Sequence, residues 1–435
     1  MIDPDGALRN HCFDRWALLF LLLAALALRL AVGFWFQSRL EGRFAFGDSE
    51  SYWVLGQSVA QGGPYQWGPG GEKVFRTPGY PVLLAPIFLV FGEDASPMWG
   101  RALSAVLGMA AVAAVWLLAR QLFDRRAALV AAAMAAFYPE AIALGALVLS
   151  EAPFSVLVPL NLSAWVAAWR AERTSRAVVW SLGCGLIAAA AALMRPSWLL
   201  FIPFAAGIGV LAGPRRGRQA MLAGAMLVGL ALGMAPWWIR NARVVGHLVP
   251  TTLQVGASLY DGLNPAADGS SNLDFMAKFT RQQRQRYARL IAERPDEFEY
   301  LLDRRIREAA VDWACQHPGR VIELAGIKFL RMWNLWPNER ALAGLPVRLA
   351  VAVSYLPILV LGLVGAWKTF GRGWPYVLCW LPAAYLTLLH VIFVSSIRYR
   401  GPAMLAIIVL AAGAVEAGIE KWELRTGKQG PRFGR

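Results

Sequence analysis

The sequence predicts an all-α integral membrane protein, a polytopic bundle of about ten transmembrane helices with two periplasmic loop regions. Three observations support this fold class. Of the 435 residues, 57% are hydrophobic and only 16% are charged, whereas soluble domains carry about 25% charged residues. The mean hydropathy is +0.45. Apolar runs of spanning length recur along the chain, and its 19 Trp residues suit the membrane–water interface.

The net charge of +15 does not indicate a nucleic-acid-binding protein. Much of the excess Arg lies in short loops between apolar runs, where it sets orientation, and a nucleic-acid binder needs one contiguous basic face. The four Cys residues contain no C-x-x-C pair, so their spacing predicts neither a disulfide framework nor a metal site. They are Cys12, Cys184, Cys315 and Cys379.

Ten apolar runs are long enough to be candidate spans. The first follows a polar head and lacks a small-residue cleavage site, so we interpret it as an uncleaved signal anchor. The run Pro81–Phe91 is too short to span and fits a re-entrant or interfacial segment. The ten runs lie near 16–36, 99–119, 127–146, 152–169, 177–194, 197–213, 219–239, 346–366, 375–394 and 402–419.

Lys and Arg residues in the short loops predict the orientation, because such residues accumulate on the cytoplasmic side. They include Arg15, Arg120, Arg125, Arg126, Arg170, Arg173, Arg176, Arg215, Arg216, Arg218, Lys368, Arg372 and the tail residues Lys421, Arg425, Lys428, Arg432 and Arg435. Three parts follow from this topology. Residues 1–239 form an N-terminal transmembrane catalytic module with a first periplasmic loop at 37–98. Residues 240–345 form a periplasmic loop with short amphipathic helices, and 346–435 form C-terminal transmembrane helices and a cytoplasmic tail.

Eight ionisable side chains lie, in this topology, at the outer ends of spans or in the first outer loop. A charged residue costs about 2.5–3.5 kcal/mol at the centre of a span, so a cluster at one side of the membrane indicates function. Arginines can hold an anionic substrate while a carboxylate moves a proton. The eight are Asp48, Glu50, Arg76, Glu151, Arg195, Arg240, Arg398 and Arg400.

Each of these residues also has a structural interpretation. Asp48 and Glu50 can form an acidic pair at a helix N-terminus, and the same pair can ligate a hard divalent cation. Arg76 precedes two prolines and a glycine that fix the backbone, which suits phosphate binding, but its side chain can also extend to the interface. Glu151 has the pattern of a helix start. The other arginines can serve topology or packing.

The order of these residues resembles the C-type glycosyltransferases that use polyprenyl-phosphate sugars. The similarity is to the branch that holds the dolichyl-phosphate-mannose–protein mannosyltransferases and the lipid A aminoarabinose transferases, and it covers roughly residues 16–410. It rests on Asp48-x-x-x-Tyr52, Arg76-x-Pro78-Gly79-Tyr80-Pro81, Leu149-Ser150-Glu151, Arg195-Pro196, Pro236-Trp237, Arg240-Asn241 and Arg398-Tyr399-Arg400-x-Pro402.

The resemblance implies roles for these residues. Asp48 would be the catalytic carboxylate, Arg76 would contact the carrier phosphate, and Glu151 would be the second outer-loop carboxylate. The full set of predicted substrate-binding residues is Glu50, Tyr52, Arg76, Tyr80, Glu151, Arg195, Arg240, Arg398 and Arg400. No cofactor is predicted with certainty, but a divalent cation would bind Asp48 and Glu50.

The predicted function is transfer of a sugar from a polyprenyl-phosphate donor to an acceptor at the periplasmic face of a bacterial inner membrane. One displacement with Asp48 as general base would invert the anomeric centre. The partners are the lipid-linked donor and membrane lipids. The chain has fewer spans after the second loop than larger members, so the acceptor is not predicted. The alternatives are a transporter or flippase of a lipid-linked anion, an O-antigen polymerase or ligase, and a scaffold subunit of an envelope complex.

Overall fold

A computed structural model describes residues 4–68, 70–294, 297–336 and 344–426. The predicted tail residues Lys428, Arg432 and Arg435 lie outside this part. The described chain is built from α-helices and short 3-10 turns, and its β pairing is limited to an isolated bridge between Trp67 and Glu72. The helices are α1 (Pro4–Arg39), α2 (Gly47–Ala60), α3 (Gly79–Phe91), α4 (Pro97–Leu122), α5 (Arg125–Phe137), α6 (Pro139–Leu144), α7 (Glu151–Arg170), α8 (Thr174–Met194), α9 (Phe201–Ala212), α10 (Arg216–Val245), α11 (Val255–Gly262), α12 (Phe275–Arg286), α13 (Ala288–Glu293), α14 (Glu297–Gln316), α15 (Pro318–Met332), α16 (Leu345–Thr369), α17 (Trp374–Val377), α18 (Leu381–Ile392) and α19 (Gly401–Thr426).

The predicted all-α polytopic membrane fold is confirmed. Eight helical segments of the described residues are long and apolar enough to cross a membrane. They are Asp14–Arg39, Pro97–Leu122, Glu151–Arg170, Thr174–Met194, Arg216–Val245, Leu345–Arg372, Trp374–Ile392 and Gly401–Thr426.

The two other predicted spans correspond to interrupted or shorter helices. Residues 127–146 are divided between α5 and α6, because Pro139 has no amide hydrogen to continue the first helix. Residues 197–213 correspond to a 3-10 turn at Pro196–Trp198 followed by α9. The helix α3 has 13 residues, as expected for a segment too short to span.

Small residues allow the spans to pack closely. Where α8 crosses α10, a Cβ on Gly185 would meet the carbonyl of Met226, and a Cβ on Gly229 would meet that of Leu182. Backbone contact of this kind is typical of helix packing in membranes. The first part of α19, Gly401–Ala414, is buried throughout, so this helix lies at the centre of the bundle.

The basic residues of the predicted cytoplasmic side meet at one end of the bundle. Arg125 pairs with Asp14 at 3.2 Å, and Arg126 pairs with Glu423 at 3.2 Å. Arg218 donates to the carbonyl of Trp169 at 3.0 Å. The opposite end of the bundle holds the starts of α7 and α19 and the ends of α8, α10 and α18, together with α2, α3 and the region of α11 to α15. We call it the outer end because the predicted topology places it outside.

The outer region contains the predicted amphipathic helices. On α15, Leu324, Lys328 and Met332 are buried, whereas Ile322 is 75% exposed and Leu330 is 69% exposed. The buried residues recur at helical spacing, so one face of this helix packs against the bundle.

The side of the membrane on which each end lies can be tested with two exposed positions at opposite ends. In a Cys12→Ser, Cys315→Ser background, we expect Lys278→Cys on α12 to react with a membrane-impermeant thiol reagent in intact cells. Arg216→Cys at the start of α10 should react only after the membrane is opened, because short basic loops stay cytoplasmic. Both positions are exposed. Labelling of Arg216→Cys in intact cells would contradict the topology.

Candidate active site

The carboxylate of Asp48 lies between two arginines from distant parts of the chain. After α1 ends, Glu41 and Gly42 turn the backbone with φ values of 50° and 77°, and Asp48 follows in the first turn of α2. Its Oδ1 accepts from Nη2 of Arg76 at 2.6 Å and its Oδ2 from Nη2 of Arg398 at 3.1 Å. Each carboxylate oxygen of Asp48 therefore has a guanidinium partner.

Arg76 has a defined partner for each of its guanidinium nitrogens. In addition to Asp48, its Nε donates to Oγ of Ser51 at 3.1 Å and its Nη1 to Oε1 of Gln254 at 3.2 Å. The guanidinium carbon lies 5.0 Å from the ring centroid of Tyr52. These contacts hold the Arg76 guanidinium group in one orientation beside the Asp48 carboxylate.

Glu151 forms the buried half of the same network. Its side chain, 1% exposed, accepts from Nη1 of Arg195 at 2.8 Å, and the Nε of Arg398 bonds to the same oxygen. Arg195 precedes Pro196, which favours the extended backbone that ends α8 here. The hydroxyl of Ser150 joins the group, since Arg195 at 3.4 Å and the hydroxyl of Tyr52 at 3.3 Å donate to it.

The network carries a net positive charge. It contains the guanidinium groups of Arg76, Arg195 and Arg398 and the carboxylates of Asp48 and Glu151, which leaves one positive charge in excess. Its members come from α2, the first outer loop, the start of α7, the end of α8 and the 3-10 turn before α19. This excess positive charge favours the binding of one further anionic group.

The arginines keep Asp48 ionised. Burial raises the pKa of this carboxyl, but the charges and hydrogen bonds of Arg76 and Arg398 outweigh burial and lower the pKa to about 2. For Arg398, burial lowers the pKa, and the attraction of Glu151 and Asp48 reverses that effect and raises it above its ordinary value. Without a bound anion, Asp48 is thus a weak base.

Two of the predicted arginines lie apart from this network. Arg240 donates to the carbonyl of Lys73 at 2.8 Å and to that of Tyr65 at 3.3 Å. Arg400 is fully buried, pairs with Glu140 at 3.3 Å and lies over the ring of Tyr355. These contacts are structural, and a role in substrate binding stays a prediction for both residues.

The other predicted residues differ in exposure. Glu50 lies in the first turn of α2 and is exposed. Tyr80 is fully buried, packs edge-on against Tyr52 with 5.2 Å between ring centroids, and shares a hydrogen bond with Ser104 at 3.3 Å. Tyr80 therefore supports Tyr52 from behind. Contact of Glu50 or Tyr80 with substrate stays a prediction.

Sequence reasoning missed Ser51 and Gln254 as partners of Arg76. Ser51 lies within the Asp48-x-x-x-Tyr52 motif, so its closeness to Asp48 in the sequence could have indicated this contact. Gln254 is 178 residues away from Arg76 in the sequence and belongs to no motif, so only the fold brings it to the site.

The residues present fit an anion better than a metal ion. Within the described part of the chain, no three His, Cys, Asp or Glu side chains are grouped so that they could hold a metal. Both oxygens of Asp48 have guanidinium partners, and Glu50 is exposed. A divalent cation at Asp48 and Glu50 therefore stays a prediction that this geometry does not support.

Comparisons with known proteins agree with the fold and the sequence resemblance. The bundle has a fold similar to that of solved oligosaccharyltransferase structures. Within it, residues 76–239 match the family model of the dolichyl-phosphate-mannose-protein mannosyltransferases. The resemblance predicted from the sequence is thereby confirmed. No curated protein sequence matches the chain.

Solved structures with similar folds include two of the oligosaccharyltransferase of Archaeoglobus fulgidus. AglB in complex with an inhibitory peptide and a dolichol-phosphate is 14% identical, with a TM-score of 0.61 over 97% of this chain and 52% of that chain. The apo form is 15% identical, with a TM-score of 0.58 over 97% and 53%. The chain thus spans about half the length of these proteins. ArnT from Cupriavidus metallidurans bound to undecaprenyl phosphate is 15% identical, with a TM-score of 0.44 over 95% and 81%.

The two carboxylates should differ in their contribution to stability. Glu151→Gln removes the anionic partner of Arg195 and one of the two anionic partners of Arg398, whose side chains are only 16% and 17% exposed. We therefore expect the free energy of unfolding to fall by about 3 kcal/mol. Asp48 is 35% exposed, and Asp48→Asn should cost less than about 1 kcal/mol, as at a solvent-accessible pair. Thermal unfolding of both variants in one detergent measures the difference, with Glu50→Gln as the exposed control. Equal losses for the two substitutions would contradict this arrangement.

Proposed function

We propose that the protein is a membrane glycosyltransferase that transfers a sugar from a polyprenyl-phosphate-linked donor to an acceptor at the outer face. The observation that carries this proposal is the Asp48 carboxylate held between Arg76 and Arg398 in a network with one excess positive charge. A polyprenyl-phosphate sugar is a phosphodiester with one negative charge, which matches that excess. The C-type glycosyltransferase fold agrees with this chemistry.

In this proposal the donor phosphate shares the arginines that now hold Asp48. Planar guanidinium groups bind phosphate oxygens as readily as carboxylate oxygens. When Arg76 and Arg398 donate some of their hydrogen bonds to the phosphate, their interaction with Asp48 weakens. The pKa of Asp48, about 2 without an anion, then rises, so that donor binding makes Asp48 a stronger base.

The transfer itself needs one displacement. The acceptor hydroxyl or amine forms a bond to the anomeric carbon, the bond from that carbon to the phosphate oxygen breaks, and the acceptor proton passes to Asp48. The leaving polyprenyl phosphate gains a negative charge in this step. Arg76 and Arg398 therefore stabilise the transition state more than the bound donor, which is the condition for catalysis. One displacement inverts the anomeric centre.

Glu151 holds two of the three arginines from the buried side. Its carboxylate pairs with Arg195 and Arg398, so that Arg398 is anchored by Nε and presents Nη2 towards Asp48. A bound phosphate would meet a preorganised group of donors, which costs little reorganisation during the reaction.

The catalytic role of Asp48 can be measured with purified protein and a set of polyprenyl-phosphate sugars. Asp48→Asn keeps the shape of the side chain but cannot accept a proton as a carboxylate does. Loss of a general base should lower turnover by about 10²-fold or more. Product formation by the wild type also separates an enzyme from a transporter of the same lipid.

The matched control is Glu50→Gln on the same helix turn, which should lower turnover less than Asp48→Asn does. If Asp48 and Glu50 together bound a divalent cation, both substitutions would reduce turnover equally and a chelator would abolish wild-type activity. Full activity of Asp48→Asn with the preferred donor would contradict the proposed mechanism.

A further inference from the structure

The backbone of the dipeptide Lys73–Val74 has a partner for each of its four polar groups. The amides of Lys73 and Val74 donate to the two carboxylate oxygens of Glu299 at 2.8 and 3.0 Å. The carbonyl of Lys73 accepts from Nη1 of Arg240 at 2.8 Å, and that of Val74 accepts from the amide of Leu253 at 2.9 Å. All four backbone polar groups of this irregular segment are thus hydrogen-bonded, as they would be in an internal strand of a sheet.

Only Phe75 separates this dipeptide from Arg76. The side chain of Val74 is fully buried, and the carbonyl of Arg76 accepts from the hydroxyl of Tyr65 at 3.1 Å. Tyr65 is in turn held by Arg240, which bonds to its carbonyl and lies 5.3 Å from its ring centroid. Arg240 and Glu299 therefore fix the backbone on both sides of the position from which the Arg76 side chain extends.

We propose that Glu299 and Arg240 are positioning residues that clamp Lys73–Val74 and thereby set the Arg76 guanidinium against Asp48. The inference rests on the proposed function for its kinetic consequence, but the clamp itself does not. It gives Arg240 a role other than direct substrate contact. It also assigns a function to α14, since Glu299 lies in the first turn of that helix.

The clamp depends on the ionised form of Glu299. Burial, the largest effect, and the charge of Glu72 raise the pKa of Glu299 to about 6, whereas the amide hydrogen bonds and the charge of Arg240 lower it. Above about pH 6 both oxygens accept, and below it one oxygen carries a proton and loses its amide partner. The charged or titratable groups around it are Glu72, Lys73, Arg240, Arg284 beside Gly70, and His247 stacked on Tyr300.

Hydrogen exchange tests the clamp without any substrate. In Glu299→Gln the amide nitrogen of the new side chain faces a backbone N–H, so one charge-assisted hydrogen bond is lost. We expect the amides of residues 73–74 to exchange about 10-fold faster at pH 7.5, measured by mass spectrometry. Glu308→Gln on the same helix is the matched control, because the Glu308 side chain is 39% exposed and pairs with Arg304 and Arg305. Unchanged exchange in Glu299→Gln would overturn the proposal.

Kinetics test whether the clamp acts through Arg76. Glu299→Gln and Arg240→Lys should each lower kcat/KM for the donor by about 10-fold to 100-fold, as small displacements of a catalytic group do. In an Arg76→Ala background the same substitutions should cause no further loss, because residues that act through one another are not additive. A full additional loss would show that Glu299 and Arg240 act elsewhere. Arg240→Lys tests the same clamp if Glu299→Gln folds poorly.

The pH profile gives an independent measurement. Wild-type kcat/KM for the donor should fall as the pH drops through about 6. This decrease at low pH should be absent in Glu299→Gln but present in the control variant His247→Gln. A decrease that persists in Glu299→Gln would contradict the role of its carboxylate. The protein could transfer sugar from none of the polyprenyl-phosphate donors while exchange at residues 73–74 still responds as expected. That result would support the clamp and contradict the proposed function.

Discussion

The contact that the site depends on is the Asp48 carboxylate shared by the guanidinium groups of Arg76 and Arg398. Arg76 comes from the loop between α2 and α3, and Arg398 from the turn before the last helix. The contact therefore forms only when the N-terminal and C-terminal parts of the chain pack together. It also keeps Asp48 ionised but weakly basic. An anion that competes for the arginines would strengthen the base at the moment when the substrate arrives.

The outer region between α10 and α16 supports both arginines. On one side, Glu299 and Arg240 hold the backbone before Arg76. On the other side, Lys328 on α15 donates to the carbonyl of Ile392 at 2.7 Å, and so fixes the segment that leads to Arg398. The helices of this loop are therefore part of the framework of the site and not a separate domain placed on the bundle.

Sequence patterns predicted the helical membrane fold and the five charged residues of the network, because long apolar runs and charges at their ends follow simple rules. They could not show that Arg398 and Arg400 diverge. These residues flank the end of a 3-10 turn with about three residues per turn, so side chains two positions apart face different sides, and Arg400 reaches Glu140 instead. The contacts of Glu299 were not predictable, since its partners lie 225 and 226 residues away.

The central claim is that Asp48 and the donor phosphate compete for the same two arginines. Binding of a polyprenyl phosphate that carries no sugar tests this claim. Titration calorimetry of the purified wild type and of Asp48→Asn in one detergent at low salt gives the two dissociation constants. Because Asn keeps the shape but removes the competing charge, the variant should bind about 10-fold more tightly, although its turnover should be lower by about 10²-fold or more. Equal or weaker binding by Asp48→Asn would contradict the account.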